Sequence, residues 1–231
     1  MKRAERPPLY PPVSCGLWFM LLGLGVVFMV LLYFQVLTAG FSRLGLSSSQ
    51  VFLVIMGSFI GSGINIPVKK VESKQGKDVS FPSFLGIRYR VPVRRQRQTL
   101  LAVNVGGCVV PLLVSIYIMA SQPRIIPSAL VCVGLGSIII YHLSRPVEGV
   151  GVATPFFAPP LLSALLAITL GPDKAAPPVA YVTGSLGTLL GADIYNLRAI
   201  ARLGAPVASI GGAGTWDGIF LAGLLASLLA F

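Results

Sequence analysis

The chain of 231 residues is 55% hydrophobic and only 11% charged, with a mean hydropathy of +0.83. A water-soluble domain of this length cannot bury so much apolar surface, so the ordinary globular class is excluded and lipid is the solvent for much of the chain. The net charge of +11 comes from 18 Lys and Arg against seven Asp and Glu; the basic residues gather in a few loops, as topology signals do, and no nucleic-acid partner is expected.

In chain order, apolar runs near the length a helix needs to cross the hydrocarbon fall at 15–38, 48–66, 100–120, 125–141, 151–170, 177–197 and 206–231. The expectation is an all-α integral membrane protein, a single polytopic domain over 1–231 with about seven spans. The first run is too long for a signal-peptide core and lacks a small-residue cleavage site. Between the second and third runs, 67–98 is a basic loop whose "INIPVKKVES" and "FLGIRYRVPVR" lean toward period-two alternation around "KQGKD". A short hairpin-like element at the cytoplasmic surface is predicted there. It serves either as an anchor on anionic headgroups or as an edge for an extended partner peptide.

Counting Lys and Arg loop by loop orients the spans. With the N-terminus inside, the inner segments hold fifteen: Lys2, Arg3, Arg6, nine from Lys69 to Arg97, then Arg145, Arg198 and Arg202. The outer loops hold three, Arg43, Arg124 and Lys174. The N-terminus is therefore expected in the cytoplasm and the C-terminus outside, in a multi-pass protein of the cell (inner) membrane. Cys15, Cys108 and Cys132 all lie in apolar runs with no paired spacing and read as small packing residues.

An ionisable residue inside a span is costly and raises a functional hypothesis. Asp193 lies late in the sixth span, in "GTLLGADIYNL", five residues before Arg198 and so about 7 Å deeper on a regular helix. Asp217 lies in "SIGGAGTWDGIFLAG" of the seventh, eleven residues past Pro206, or about 16 Å deep if the helix starts there. The two depths converge if the helix begins near 211–214 and "APVASI" stays outside it, which Gly211, Gly212, Gly214 and Gly218 permit. A short connection makes the two spans antiparallel neighbours. Two carboxylates at one site share a proton, the arrangement that activates water in aspartic proteases. The same pair also suits interhelical hydrogen bonding or the movement of a proton or small cation. Thr215 and Trp216 orient the Asp217 carboxyl or simply pack.

A second polar cluster, "YHLSRPVEGVGVATPFFAPP", carries His142, Arg145 and Glu148 at the inner end of the fourth span. Pro146 bars a simple helix there, and the plain reading is an interfacial Arg–Glu pair fixing a re-entrant turn. One His with one Glu is too few for zinc, and no metal or other cofactor is expected. Asn104 in "NVGGCVVP" and Asn196 read as interhelical hydrogen-bonding points. No phosphate-binding glycine motif, haem ligand pair or serine nucleophile elbow is present.

On "GTLLGADIYNL" and "SIGGAGTWDGIFLAG", supported by "NVGGCVVP" and "HLSRPVEGVGVATPFFAPP", the chain resembles the domain of unknown function 1614 family of small polytopic membrane proteins. The resemblance spans roughly the last two thirds of the chain and implies no activity. More distantly, the chain is similar to presenilin-like intramembrane aspartyl proteases. These place one Asp near the inner end of an inward-running helix and the next in a Gly-x-Gly-Asp motif on the following helix. Asp193 and Asp217 match that order and direction. Gly212-Ala213-Gly214 is separated from Asp217 by Thr215 and Trp216, and Tyr195 follows Asp193 instead of preceding it. The similarity implies that Asp193 and Asp217 are catalytic on a transmembrane peptide substrate, with the neighbouring glycines, Tyr195 and Asn196 in support.

Overall fold

The computed structural model describes residues 14–72, 98–147, 151–200, 207–212 and 218–230. The chain divides into two units, Met1–Ala39 and Gly40–Phe231. The first is largely helix α1 (Ser14–Ser42), whose Met20–Ser42 stretch is long and apolar enough to cross a membrane. Leu22, Leu24, Phe28 and Leu31 stand exposed on it.

The second unit starts with α2 (Ser48–Ser62), set by a capping box in which Ser47 and Gln50 exchange side-chain and backbone hydrogen bonds. Gln50 Nε2 also donates to Tyr117 Oη at 2.9 Å, tying α2 to α3 (Val110–Ser121). Beyond α2 the chain turns extended as β1 (Asn65–Glu72), which pairs antiparallel with β2 (Gln98–Asn104). The register shifts between Pro67 and Lys69, where proline has no N–H to give the ladder. A π-helical turn, Val105–Val109, leads into α3; α4 (Ile126–Leu143) and α5 (Ala158–Leu170) follow. Between them is a small antiparallel pair, β3 (Arg145–Val147) and β4 (Gly151–Ala153). Next come α6 (Ala176–Val182), two π-helical segments, Thr183–Gly187 and Leu189–Ile194, and short α7 (Leu197–Ile200). Strand β5 (Val207–Ile210) then adds parallel to β2, and α8 (Gly218–Leu229) ends the described chain.

The all-α expectation is corrected by these strands. Residues 100–104 and 207–210, counted into the third and seventh spans, satisfy their backbone groups laterally in the order β1-β2-β5. The predicted hairpin has its first strand at the anticipated place, but its partner is β2; the "FLGIRYRVPVR" segment lies outside the described residues. A helix is present within each of the seven apolar runs. Two helical stretches, Met20–Ser42 and Pro123–Leu143, are long and apolar enough to cross a membrane, and the others are shorter.

Small residues set the packing around the 176–194 helix. A Cβ on Gly191 would run into the Ser137 carbonyl of α4, and one on Gly184 would meet the Ala222 carbonyl of α8 at 2.8 Å. The helix axes approach closely at both points, as expected where small residues line an interface. These contacts also give direction. Gly136 of α4 faces Thr183 and Ser137 faces Gly191, so α4 and the 176–194 helix run parallel. Gly223 of α8 faces Tyr181 and Ser185, while Ile219 shares a buried cluster with Leu189, so α8 runs antiparallel to it. Phe41, Tyr181 and Phe220 fill the core alongside, with ring centroids 5.7–5.9 Å apart across the Phe41 contacts.

Candidate functional site

The site is built where the 176–194 helix ends. Tyr195 N–H donates five residues back, to the Leu190 carbonyl, at 2.9 Å, the widened spacing of a π-turn. Buried Asn196 then caps the turn, its Nδ2 donating to the carbonyls of Gly191 and Ala192 at 3.2 and 3.0 Å. Asn196 thus bonds within its own segment, where an interhelical partner was anticipated.

On one face of this turn is half-buried Asp193. Its Oδ2 accepts the backbone N–H of Gly211 at 2.6 Å, a charge-assisted geometry when the carboxyl is ionised. Gly211 follows directly on β5 with φ +77°, a conformation costly for a residue bearing a Cβ. A Cβ there would also lie 2.7 Å from Cys108 Cβ, Cys108 N and the Gly107 carbonyl carbon. Only glycine lets the strand end lie against the Val105–Val109 turn while it presents its N–H to Asp193.

A side-chain network fixes β5 from the other side. Ser209 Oγ donates to Asn65 Oδ1 at 2.5 Å, and the same oxygen accepts from Asn104 Nδ2 at 3.1 Å. Asn104 Nδ2 also donates to the Ser62 carbonyl at 2.7 Å, and its Oδ1 accepts the Gly107 N–H at 2.9 Å, capping the π-turn that starts at Val105. Buried Asn104, at the end of β2, therefore joins α2, β1 and the head of α3. Beneath the network Cys108, Leu189 and Ile219 pack together, with Val103 and Ile210 against them.

Of the residues singled out from sequence, the structure brings Asp193, Asn104 and Gly212 into one neighbourhood. Gly212 N–H donates to the Ser209 carbonyl at 3.2 Å, and a Cβ on it would meet the Ser209 side chain. Gly218 opens α8 in open space. Gly214, Thr215, Trp216 and Asp217 lie outside the described residues, as does Glu148. Tyr195, two residues past Asp193, faces the opposite way, toward α4: its Oη lies 3.4 Å from Ser137 Oγ and its ring is edge-on to Tyr141 at 6.0 Å. His142 stacks edge-on against Tyr141 at 5.4 Å, and Arg145 is exposed on β3, where Pro146 and the strand pairing take the place of a helix. Asn65, Ser62 and Ser209 were not anticipated, whereas Cys108 packs in the apolar cluster, as a small packing residue does. Asn65 had a sequence signal, an amide beside the glycine-rich end of α2 in "GSGIN".

These segments, 61–65, 104–108, 191–197 and 207–212, all fall within one family match. A family model described as "Protein of unknown function (DUF1614)" matches residues 59–229. The chain belongs to this family. No curated protein and no solved structure matches it. The match contains the whole Asp193 neighbourhood and the His142–Arg145 segment and leaves out the whole of α1. Among the described residues no group of three or more His, Cys, Asp and Glu comes together as a metal site.

Proposed function

We propose that the chain is a multi-pass protein of the cell (inner) membrane in which Asp193 and Asp217 form a di-aspartyl intramembrane protease site, hydrolysing peptide bonds of transmembrane substrates. Membrane residence is supported by apolar faces left exposed on several helices, such as Phe52, Leu53, Phe59 and Ile60 on α2 and Leu161, Leu165 and Ile168 on α5. Seven crossings with the N-terminus inside fit the fifteen-to-three bias of basic residues and the parallel run of α4 and the 176–194 helix, which have one helix between them in sequence.

The observation that carries the protease reading is the antiparallel pairing around Asp193. Gly211 bonds Asp193, and Ile219 packs on Leu189, one turn deeper along the same helix. The residues on either side of 213–217 are thus held to the part of the helix that bears Asp193. In the reaction one carboxylate takes a proton from water as its oxygen attacks the peptide carbonyl. The other, protonated, carboxyl donates to the carbonyl oxygen, and the resulting diol collapses with cleavage of the C–N bond and protonation of the amine. Gly218, with nothing within 4 Å of where a Cβ would stand, leaves room for a substrate backbone.

A second reading is favoured by the Gly211 bond itself: Asp193 is a structural latch holding β5 to the helix. One pair of variants separates them. Asp193→Asn keeps an oxygen acceptor, whereas Asp193→Ala removes it. The protease reading expects cleavage of a model transmembrane substrate to vanish in both, and in Asp217→Asn. The latch reading expects Asp193→Asn to match wild type and Asp193→Ala to lose about 2 kcal/mol of stability in detergent. Cleavage persisting in both asparagine variants overturns the protease. Proton or cation flux in proteoliposomes, lost in the same variants with no cleavage, assigns the acids to translocation instead.

A further inference from the structure

We infer that the exposed cluster of Tyr141, His142, Arg145, Tyr195 and Arg198 is a seat for the phosphate headgroup of an anionic phospholipid. The inference rests on the membrane-embedded reading above and is independent of whether Asp193 is catalytic. The cluster assembles because α4 and the 176–194 helix run parallel and finish at one level. Tyr141 and Tyr195, near their ends, meet edge-on at 6.0 Å, and His142 meets Tyr141 at 5.4 Å. Four residues past Tyr141 comes Arg145, and three past Tyr195 comes Arg198. Both arginines are exposed, at the same end of a contacting pair of elements.

On the other side of the tyrosines, toward the start of α4, lies an exposed apolar face: Leu130, Val131, Leu135, Ile138 and Ile139. The order along α4 is thus apolar face, half-exposed tyrosines, then arginines, the sequence of chemistries across a bilayer from acyl chain to headgroup. Tyrosine suits the middle level because its ring is apolar and its hydroxyl polar. A guanidinium presents a planar fork of donors that matches two phosphate oxygens. Asp193, the described acid nearest to Arg198 along the chain, is turned to the opposite face and bonded to Gly211. Charge complementarity therefore selects an anionic headgroup over a zwitterionic one.

The test uses the full chain in detergent micelles, offered phosphatidylglycerol and phosphatidylcholine at equal concentration, with retained lipid counted by native mass spectrometry. Wild type retains phosphatidylglycerol preferentially. The double variant Arg145→Gln/Arg198→Gln lowers that affinity roughly thirtyfold, about fivefold for each arginine. The equally exposed pair changed in Arg43→Gln/Arg124→Gln leaves it as in wild type. Unchanged circular dichroism shows that each variant is folded, and Arg145→Lys/Arg198→Lys falls between wild type and the glutamine pair, because the charge remains but the planar fork is lost. Equal retention of the two lipids by wild type overturns the inference. So does an equal loss in both double glutamine variants, which reduces the effect to net charge. Displacement of the lipid by millimolar inorganic phosphate also overturns it, making the cluster a free-anion site.

Discussion

Two polar clusters share the helical end at residues 190–198, and they are built on opposite plans. On one face Asn104, Asn65 and Ser209 bond one another, and Asp193 and Asn104 bond the backbone of three segments at Gly211, Ser62 and Gly107. On the other, Tyr141, His142 and Tyr195 touch mainly through ring edges, and His142, Arg145 and Arg198 stand in the open. The inner cluster is coupled to the fold because its centre, Asn104, is buried, and a lost partner there leaves a polar group unsatisfied. The outer cluster is free to meet something else. The lesson is that polarity within an apolar chain separates into groups that hold the protein together and groups that face its surroundings. Satisfaction of hydrogen bonds tells the two apart, and residue type does not.

Stability measurements can break this contrast. The largest effect is expected for Gly211→Ala. The added methyl must adopt φ +77° and enters space already held by Cys108 and Gly107 at 2.7 Å. Left-handed strain and overpacking together cost about 3 kcal/mol. Thermal unfolding in detergent, followed by circular dichroism, should show that loss. A wild-type midpoint means that the strand end is not seated on the π-turn, and the inner cluster is then no cluster.

Asn104→Ala comes next, at about 2 kcal/mol. It removes the acceptor for the buried Gly107 N–H and the donor to the part-buried Ser62 carbonyl. Asn104→Asp sharpens the point: it keeps the cap on Gly107 but loses both Nδ2 bonds, and it adds a buried charge, so it should be no better than alanine. An aspartate variant as stable as wild type would show that the amide donor to α2 and β1 contributes nothing.

How far these clusters were legible in the sequence follows from what each one uses. Apolar runs located the helices because lipid exposure and core packing both demand apolar residues, and the run at 125–141 coincides closely with α4. That "VASI" lies outside the last helix was one of the arrangements anticipated, since the glycines after it permit a break, and the chain turns at Gly211 with φ +77°. The strands β2 and β5 were not. "LLAVN" and "VASI" are as apolar as the helices they adjoin, and their pairing joins residues more than a hundred positions apart. Asn65 and Ser209 were missed for the same reason: their importance lies in a contact 144 residues long in sequence, which no local pattern encodes. Asn196 was recognised as buried and polar, but its partner was misjudged because a π-turn supplies free carbonyls within its own segment.

The smallest effect is expected at the point where the two clusters come closest, Tyr195→Phe. The hydroxyl that this change removes sits 3.4 Å from Ser137 Oγ, at the outer limit of a hydrogen bond. Ser137 is already satisfied by donating to the Gly134 carbonyl at 2.9 Å, so nothing buried is stranded when the hydroxyl goes. The ring, its edge contact with Tyr141 and its 48% exposure all survive the substitution. Stability should therefore stay within about 0.5 kcal/mol of wild type. A loss comparable to that of Asn104→Ala would place Tyr195 among the groups that hold the fold. The outer cluster would then be an extension of the inner one through Ser137 and α4, and the division between the two faces of the helix would fall. Retained stability in Tyr195→Phe, set beside a large loss in Gly211→Ala only sixteen residues away, is what a division running through a single helical turn requires.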